Sequence, residues 1–249
     1  GGKVAMACAS RGAKFQLEMG GKNPLVVLDD ANLDLAVAAA LDGAFYQTGQ
    51  RCTASSRLIV QAKVHDAFVE RMVEGMKKLK VDNALADGTV IGPVVDEAQM
   101  AQDERYIQIA RDEGGQLAWG GERLNRDTKG FYLSPALFVG TKNDMRINRE
   151  EVFGPVASVI KVDSYDEALS VANDTAFGLS SGIITTSLKY ATDFRKKSAA
   201  GMVMVNLATA GVDYHVPFGG RKGSSYGARE QGRHAVDFYT AIKTAYTQA

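Results

Sequence analysis

The chain lacks the charge that would hold it to a polyanion and the cysteines that would staple it. Lys and Arg total 29 and Asp and Glu total 29 in 249 residues, so no basic excess exists to hold nucleic acid or an anionic membrane. Two cysteines, Cys8 and Cys52, are too few for a disulfide framework at this length, which is the usage expected in a reducing compartment. No apolar run approaches the roughly 18 residues of a membrane span, and no charged leader precedes an apolar block. A cytoplasmic location is the expectation. His65, His215 and His234 are scattered without ligand spacing, so no metal site is expected. Internal repeats, low-complexity tracts and Pro/Ser linkers are also missing. The length permits one large domain or two small ones with a sizeable core.

What is present is an alternation of short apolar runs with helical periodicity. Pro24 to Leu28 has strand length, and Leu33, Val37, Ala40, Leu41, Ala44 and Phe45 follow at helical spacing behind Asn32, a plausible N-cap. Leu58 to Val60 reads as a second buried strand, and Phe68, Met72, Met76 and Leu79 mark the stripe of the next helix. Glu97 to Asp112 is helical and stops at Gly114-Gly115, where glycine can adopt the left-handed C-cap. Strands are expected over 131–139, 156–162, 182–185 and 202–205, with helices over 164–172, opened by a Ser164/Glu167 capping box, and 188–197. This order predicts an α/β fold with a doubly wound, mostly parallel sheet. From about Pro217 a Gly-rich, charged stretch reads as a loop, and 241–247 alternates enough for a terminal strand.

Two short strings carry chemistry. Gly49-Gln50-Arg51-Cys52-Thr53 puts a thiol on a Gly-flanked turn, where it is more accessible than on a helix face. A neighbouring cation, Arg51 or Arg57, would favour the thiolate. Glu18-Met19-Gly20-Gly21-Lys22 precedes it, with Glu18 34 positions before Cys52. A carboxylate acting as a base near neutrality needs partial burial, and the glycines permit close packing. Alone, either residue has an ordinary alternative: a lone Cys is most often a small buried hydrophobe, and a lone Glu a solvated one. Cys8, in the apolar Val4 to Ala9 stretch, reads as structural.

Taken together, the two strings resemble the aldehyde dehydrogenase superfamily, whose members carry Glu-Leu-Gly-Gly-Lys and then a Gly-Gln-x-Cys nucleophile at about this distance. Met19 departs mildly from the usual Leu. A third string, Glu150-Glu151-Val152-Phe153-Gly154-Pro155, resembles the family's Glu-Glu-Ile-Phe-Gly-Pro. The resemblance covers essentially the whole chain but only the second half of the family's length. It implies a fragment lacking most of the dinucleotide-binding domain, with 1–19 a remnant of that domain, 20–219 the catalytic domain and 220–249 a return segment with an oligomerisation strand. Such a piece is expected to bind the cofactor poorly and to be inactive alone.

The implied reaction oxidises an aldehyde to an acid with NAD or NADP. Cys52 forms a thiohemiacetal and then a thioester, and Glu18 activates the hydrolytic water. The resemblance assigns Glu151 and Phe153, with Met19 and Gly20, to the cofactor, and Arg51, Thr53 and Phe218 to the substrate lining. Asn206 matches a position near the tunnel. The strings around Cys52 and from Pro217 to Gly227 look most like the 2-oxoglutarate semialdehyde (2,5-dioxopentanoate) dehydrogenases, with succinate semialdehyde and other aldehyde dehydrogenases as alternatives. The implied partners are a small, acidic aldehyde and further copies of the chain in a homodimer or homotetramer. Readings from other classes are a thioester hydrolase or CoA-acylating enzyme, which Glu18 argues against, and a non-catalytic module.

Overall fold

Alternation along the central strands decides the layers. In the computed structural model, which describes residues 1–249, Leu25 and Val27 pack into one core with Leu58 and Val60, while Val26, Leu28 and Ile59 pack into another on the opposite face. All seven are fully buried. Strands covered on both faces read as continuous apolar runs, which is how these appear in the sequence.

The chain opens with α1 (Gly2–Ala9) and β1 (Leu17–Glu18), then β2 (Asn23–Val27), α2 (Leu33–Phe45), β3 (Ser55–Gln61), α3 (Ala62–Met76) and α4 (Glu97–Asp112). Four short strands follow, β4 (Gln116–Trp119), β5 (Arg123–Leu124), β6 (Tyr132–Leu133) and β7 (Ala136–Val139), and then α5 (Arg146–Arg149). The alternation resumes with β8 (Val156–Val162), α6 (Tyr165–Asn173), β9 (Ser180–Ile184), α7 (Leu188–Lys197) and β10 (Met202–Val205), and closes with β11 (Ser225–Tyr226) and α8 (Ala235–Tyr239). Seven strands form one sheet in the order β10-β9-β2-β3-β8-β7-β4. All its pairs are parallel except β4 with β7. Helices α2 and α3 cover one face, α6 and α7 the other, and α4 packs over β7. This is the doubly wound, mostly parallel fold that the sequence predicts. No helix is long and apolar enough to cross a membrane.

The caps form as their residue types dictate. Asn32 Oδ1 accepts from the backbone N–H groups of Asp34 (3.0 Å) and Leu35 (3.1 Å), and Ser164 Oγ accepts from Glu167 N–H (3.2 Å). Glu167 reaches back one residue further than a capping box requires, to Asp163 N–H (2.7 Å). Gly114, at φ 95°, terminates α4. Three expectations differ from the structure. The stretch 131–139 is two strands, because Pro135 has no N–H to offer a ladder and Ser134 N–H turns to Glu122 O instead. Gln116–Trp119, unforeseen, is the antiparallel edge. Residues 241–247 form no strand: nothing in the chain pairs with them, Ile242 is 99% exposed and Tyr246 95%, and a strand exists only through a neighbour's hydrogen bonds.

The parallel order places the chemistry. β2, β3 and β8 are neighbours, and Gly21, Cys52 and Glu151 each lie just before one of them. Three strings far apart in sequence thus enter the same edge of the sheet, at the strands' amino ends.

Candidate active site

Glycine lets the three entering loops touch. A Cβ on Gly20 would overlap the Glu151 carboxylate, and one on Gly21 would overlap the Cys52 carbonyl. Gly21 N–H donates to Glu151 Oε1 at 2.7 Å. The nucleophile turn leaves α2 through Gln47 (φ 54°), Thr48 (φ 61°) and Gly49 (φ 64°), a left-handed run that non-glycine residues enter only when their surroundings compel it. Part of that compulsion is visible: Gln50 Oε1 accepts from Val95 N–H (2.9 Å), and Thr48 Oγ1 donates to Gly92 O (3.2 Å). Asn23, the first residue of β2, donates through Nδ2 to the carbonyls of Cys52 (2.8 Å) and Ala54 (2.9 Å), and its Oδ1 accepts from Ser180 N–H (3.0 Å). Thr209 Oγ1 donates to Thr53 O at 2.7 Å.

Glu18 arrives from the other side. Its strand β1 pairs antiparallel with β11, and Ser225 Oγ donates to Glu18 Oε2 at 2.7 Å while accepting from Gly220 N–H at 2.6 Å. Burial pushes the Glu18 carboxyl above the usual range; the Ser225 bond opposes this, Glu230 adds to it and Arg229 opposes it. The Cys52 thiol is half-buried. Burial pushes it up, the backbone N–H groups of Cys52 and Thr53 pull it down, and Glu151 and Glu18 both push it further up. Glu151 is itself raised by burial, against the pull of Gly21 N–H and Lys22. Lys22, only 1% exposed and with no partner for Nζ, is lowered to about 7 by burial and by Arg57, with Glu151 and Glu150 opposing.

The structure brings Glu18, Gly20, Cys52 and Glu151 together and corrects the reading of the cations. Neither Arg51 nor Arg57 is among the groups that shift the Cys52 thiol. The Arg51 guanidinium turns back on the end of α2, donating to the carbonyls of Asp42 and Gly43 and pairing with the Asp42 carboxylate at 3.5 Å. Arg57, within β3, is fully buried and donates to Asn143 Oδ1 at 2.8 Å. Both guanidiniums donate to oxygens inside the protein, although the Nε of each is buried without a partner, and the two charges that act on the thiol are carboxylates. Thr53 is buried, its carbonyl held by Thr209, and Arg51 lines a small cavity with Gly21, Glu151 and Phe153.

Phe153 is 38% exposed at φ 63°, its ring open beside Glu151. Met19 N–H donates to Ser224 O (2.9 Å), and Phe218, half-buried, bridges Glu230 through both backbone bonds (2.7 and 3.0 Å). Asn206, at φ 58°, holds Thr185 N–H with Oδ1 (3.0 Å) on the far side of β9. Cys8 lies half-buried on α1, a helix with no buried residue, so it is not a core residue.

Several residues that build the site carry only faint sequence signals. Asn23 follows the Gly-Gly-Lys run directly and Ser225 sits in the Gly/Ser-rich loop, yet neither position announces a partner. Asp103 shows more plainly, as an acid on the apolar stripe of α4 with Met100, Tyr106, Ile107 and Ala110.

The sequence profile described as the aldehyde dehydrogenase family matches residues 1–245, and the chain belongs to that family. Among its relatives, the alpha-ketoglutaric semialdehyde dehydrogenase of Bacillus subtilis (strain 168) is 44% identical over 247 residues, 98% of this chain and 51% of the relative. The 2,5-dioxopentanoate dehydrogenase of Saccharolobus solfataricus is 40% identical over 238 residues, 95% and 49%, and a betaine aldehyde dehydrogenase of Mesorhizobium japonicum is 40% identical over 250 residues, 100% and 51%. Of solved structures, the NAD-dependent aldehyde dehydrogenase from Sinorhizobium meliloti superposes with TM-score 0.93 at 36% identity, covering 98% of this chain and 48% of its own. The NAD+ complex of an aldehyde dehydrogenase from Bacillus cereus gives 0.93 at 34%, covering 98% and 49%. The chain spans about half the length of the curated relatives it matches.

Proposed function

We propose that the whole protein oxidises an aldehyde to a carboxylic acid with NAD or NADP, using Cys52 as nucleophile and Glu18 as general base. The observation that carries this reading is the convergence of Glu18, Cys52 and Glu151 at one edge of the sheet, close enough for both carboxylates to act on the thiol. The Cys52 sulfur attacks the aldehyde carbon and forms a thiohemiacetal. NAD(P), when bound, supplies the acceptor for the hydride that this carbon loses. Glu151 and Phe153 would hold it: a half-buried carboxylate suits a ribose diol, and a ring held outward by a left-handed backbone suits a planar heterocycle. Water then attacks the thioester on Cys52 while Glu18 takes its proton. The C–S bond breaks, the acid leaves and the thiolate is restored. A Glu18 raised by burial is suited to a base working near neutrality.

The substrate proposed is 2-oxoglutarate semialdehyde, supported by the names of two of the relatives above; the betaine aldehyde relative names a substrate of opposite charge. The division of the chain into 1–19, 20–219 and 220–249 is supported by contacts between the two outer pieces. β1 pairs with β11, Phe15 stacks on Tyr226 at 5.5 Å, and Lys14 Nζ donates to Thr240 O at 2.6 Å. The exposed 241–247 segment supports pairing with another copy in a homodimer or homotetramer, and two free cysteines support a cytoplasmic location.

The test is NAD(P)H formation by the whole protein on 2-oxoglutarate semialdehyde, succinate semialdehyde, betaine aldehyde and simple aliphatic aldehydes, with Cys52→Ala as control. A Cys52-dependent signal strongest for 2-oxoglutarate semialdehyde is expected. No signal with any aldehyde would refute the activity, and a stronger one with another aldehyde would refute the substrate.

A further inference from the structure

Asp103 is a carboxylate in the wrong place for a helix that merely packs. It lies on the buried stripe of α4 with no solvent exposure. Its Oδ1 accepts from Gln99 Nε2 at 2.8 Å, and its Oδ2 is buried without a partner. Burial pushes this carboxyl up to about 7, opposed by the Gln99 bond and helped by Glu104, which is itself paired with Arg123. An acid that costs this much to bury and is only half satisfied is kept for something it touches.

What it touches is Gly154. A Cβ there would overlap all three atoms of the Asp103 carboxyl group. On its other side, the Gly154 carbonyl fills the space that a Cβ on Gly49, in the nucleophile turn, would need. Two residues back, the Val152 carbonyl accepts from both Gln99 Nε2 (3.0 Å) and Gln102 Nε2 (2.8 Å). Between these two fixed points sits Phe153 at φ 63°, a conformation that an aromatic residue keeps only when its surroundings over-determine it.

The geometry points to Asp103 as a positioning residue: its carboxyl, wedged against Gly154 and tied through Gln99 to Val152, holds the left-handed turn that presents Glu151 and Phe153. That these two residues meet the cofactor rests on the function proposed above; the clamp on the turn does not. Asp103 touches no reacting group and acts only through the loop.

Two readouts separate these claims. The first is amide hydrogen exchange in this chain at Val156 and Gly21, whose acceptors, Gly154 O and Glu151 Oε1, sit on the turn. The second is KM for NAD(P) against kcat in the whole protein. Asp103→Ala is expected to exchange roughly tenfold faster at both amides, as a locally opened unit does, and to raise the cofactor KM several-fold while kcat stays within about twofold. Asp103→Asn, which keeps the volume and the acceptor for Gln99, is expected to restore both. Gly154→Ala drives a methyl into the carboxyl and loosens the turn, and adding Asp103→Ala relieves it. Wild-type exchange in Asp103→Ala, failure of Asn to rescue, or a double variant no better than Gly154→Ala would overturn the assignment. Should Asp103→Ala not fold, the other two single variants decide: a wild-type-like Asn with an impaired Gly154→Ala supports the clamp, and equal impairment or a silent Gly154→Ala overturns it. A Glu151→Gln variant with unchanged cofactor KM would remove the cofactor role alone, leaving the exchange result to judge the clamp.

Discussion

The two ends of the central strands are built differently. At the carboxyl ends of β2 and β9, Asp30 gathers donors from Thr185 Oγ1 (2.7 and 2.8 Å), Thr186 Oγ1 (2.9 Å) and Thr186 N–H (3.1 Å). Burial pushes this carboxyl up, but those bonds and Ser187 N–H outweigh it and hold it below the usual range. At the amino ends of β2, β3 and β8, the chain approaches itself through Gly20, Gly21, Gly49 and Gly154. There Gln47, Thr48 and Phe153 sit at positive φ, Cys52, Glu18 and Glu151 are all raised, and Lys22 is a buried cation without a partner. Strain and desolvated charge gathered at one edge mark a site, while satisfied bonds at the other mark a joint. Open parallel sheets usually bind ligands beyond their carboxyl ends; the function proposed above would use the opposite edge.

That contrast predicts where a substitution costs activity and where it costs stability. Glu18→Gln, at the amino edge, is expected to slow turnover of the whole protein by about 10²- to 10⁴-fold, the usual range for a general base, with thioester formation preserved. Burst kinetics measure this, and turnover near wild type would remove Glu18 from the role. Asp30→Ala, at the carboxyl edge, is expected to cost about 1–3 kcal/mol of stability by stranding its donors. It should leave the labelling rate of Cys52 per folded molecule unchanged; denaturant titration and iodoacetamide labelling read the two separately, and a changed labelling rate would blur the distinction. The smallest effect belongs to Arg51→Ala. Because its guanidinium is spent on Asp42 and Gly43, Cys52 labelling should change by less than about twofold, against the much larger loss expected if it were the cation that made the thiolate reactive.

The fold was legible because β2, β3 and β8 are apolar on both faces and the helices between them carry clear stripes and caps. Edge elements were not: Gln116–Trp119 is short and only partly buried, and 241–247 alternates like a strand but has no partner here. Of the site, Cys52, Glu18 and Glu151 were legible as motif residues. Their meeting was not, since it depends on β2, β3 and β8 being neighbours, a property of sheet order. The direction of the arginines was hidden for the same reason. Arg51 and Arg57 stand beside Cys52 in sequence, yet each turns to oxygens supplied by helices and loops elsewhere.

The most direct test of this convergence is the pH profile of iodoacetamide labelling at Cys52 in this chain, compared with a Glu18→Gln/Glu151→Gln variant. Negative charge near a thiol disfavours its thiolate. The midpoint for Cys52 should therefore lie above the ordinary thiol range and fall when the two carboxylates are neutralised. A midpoint below that range, or one that the double substitution does not move, would contradict the account.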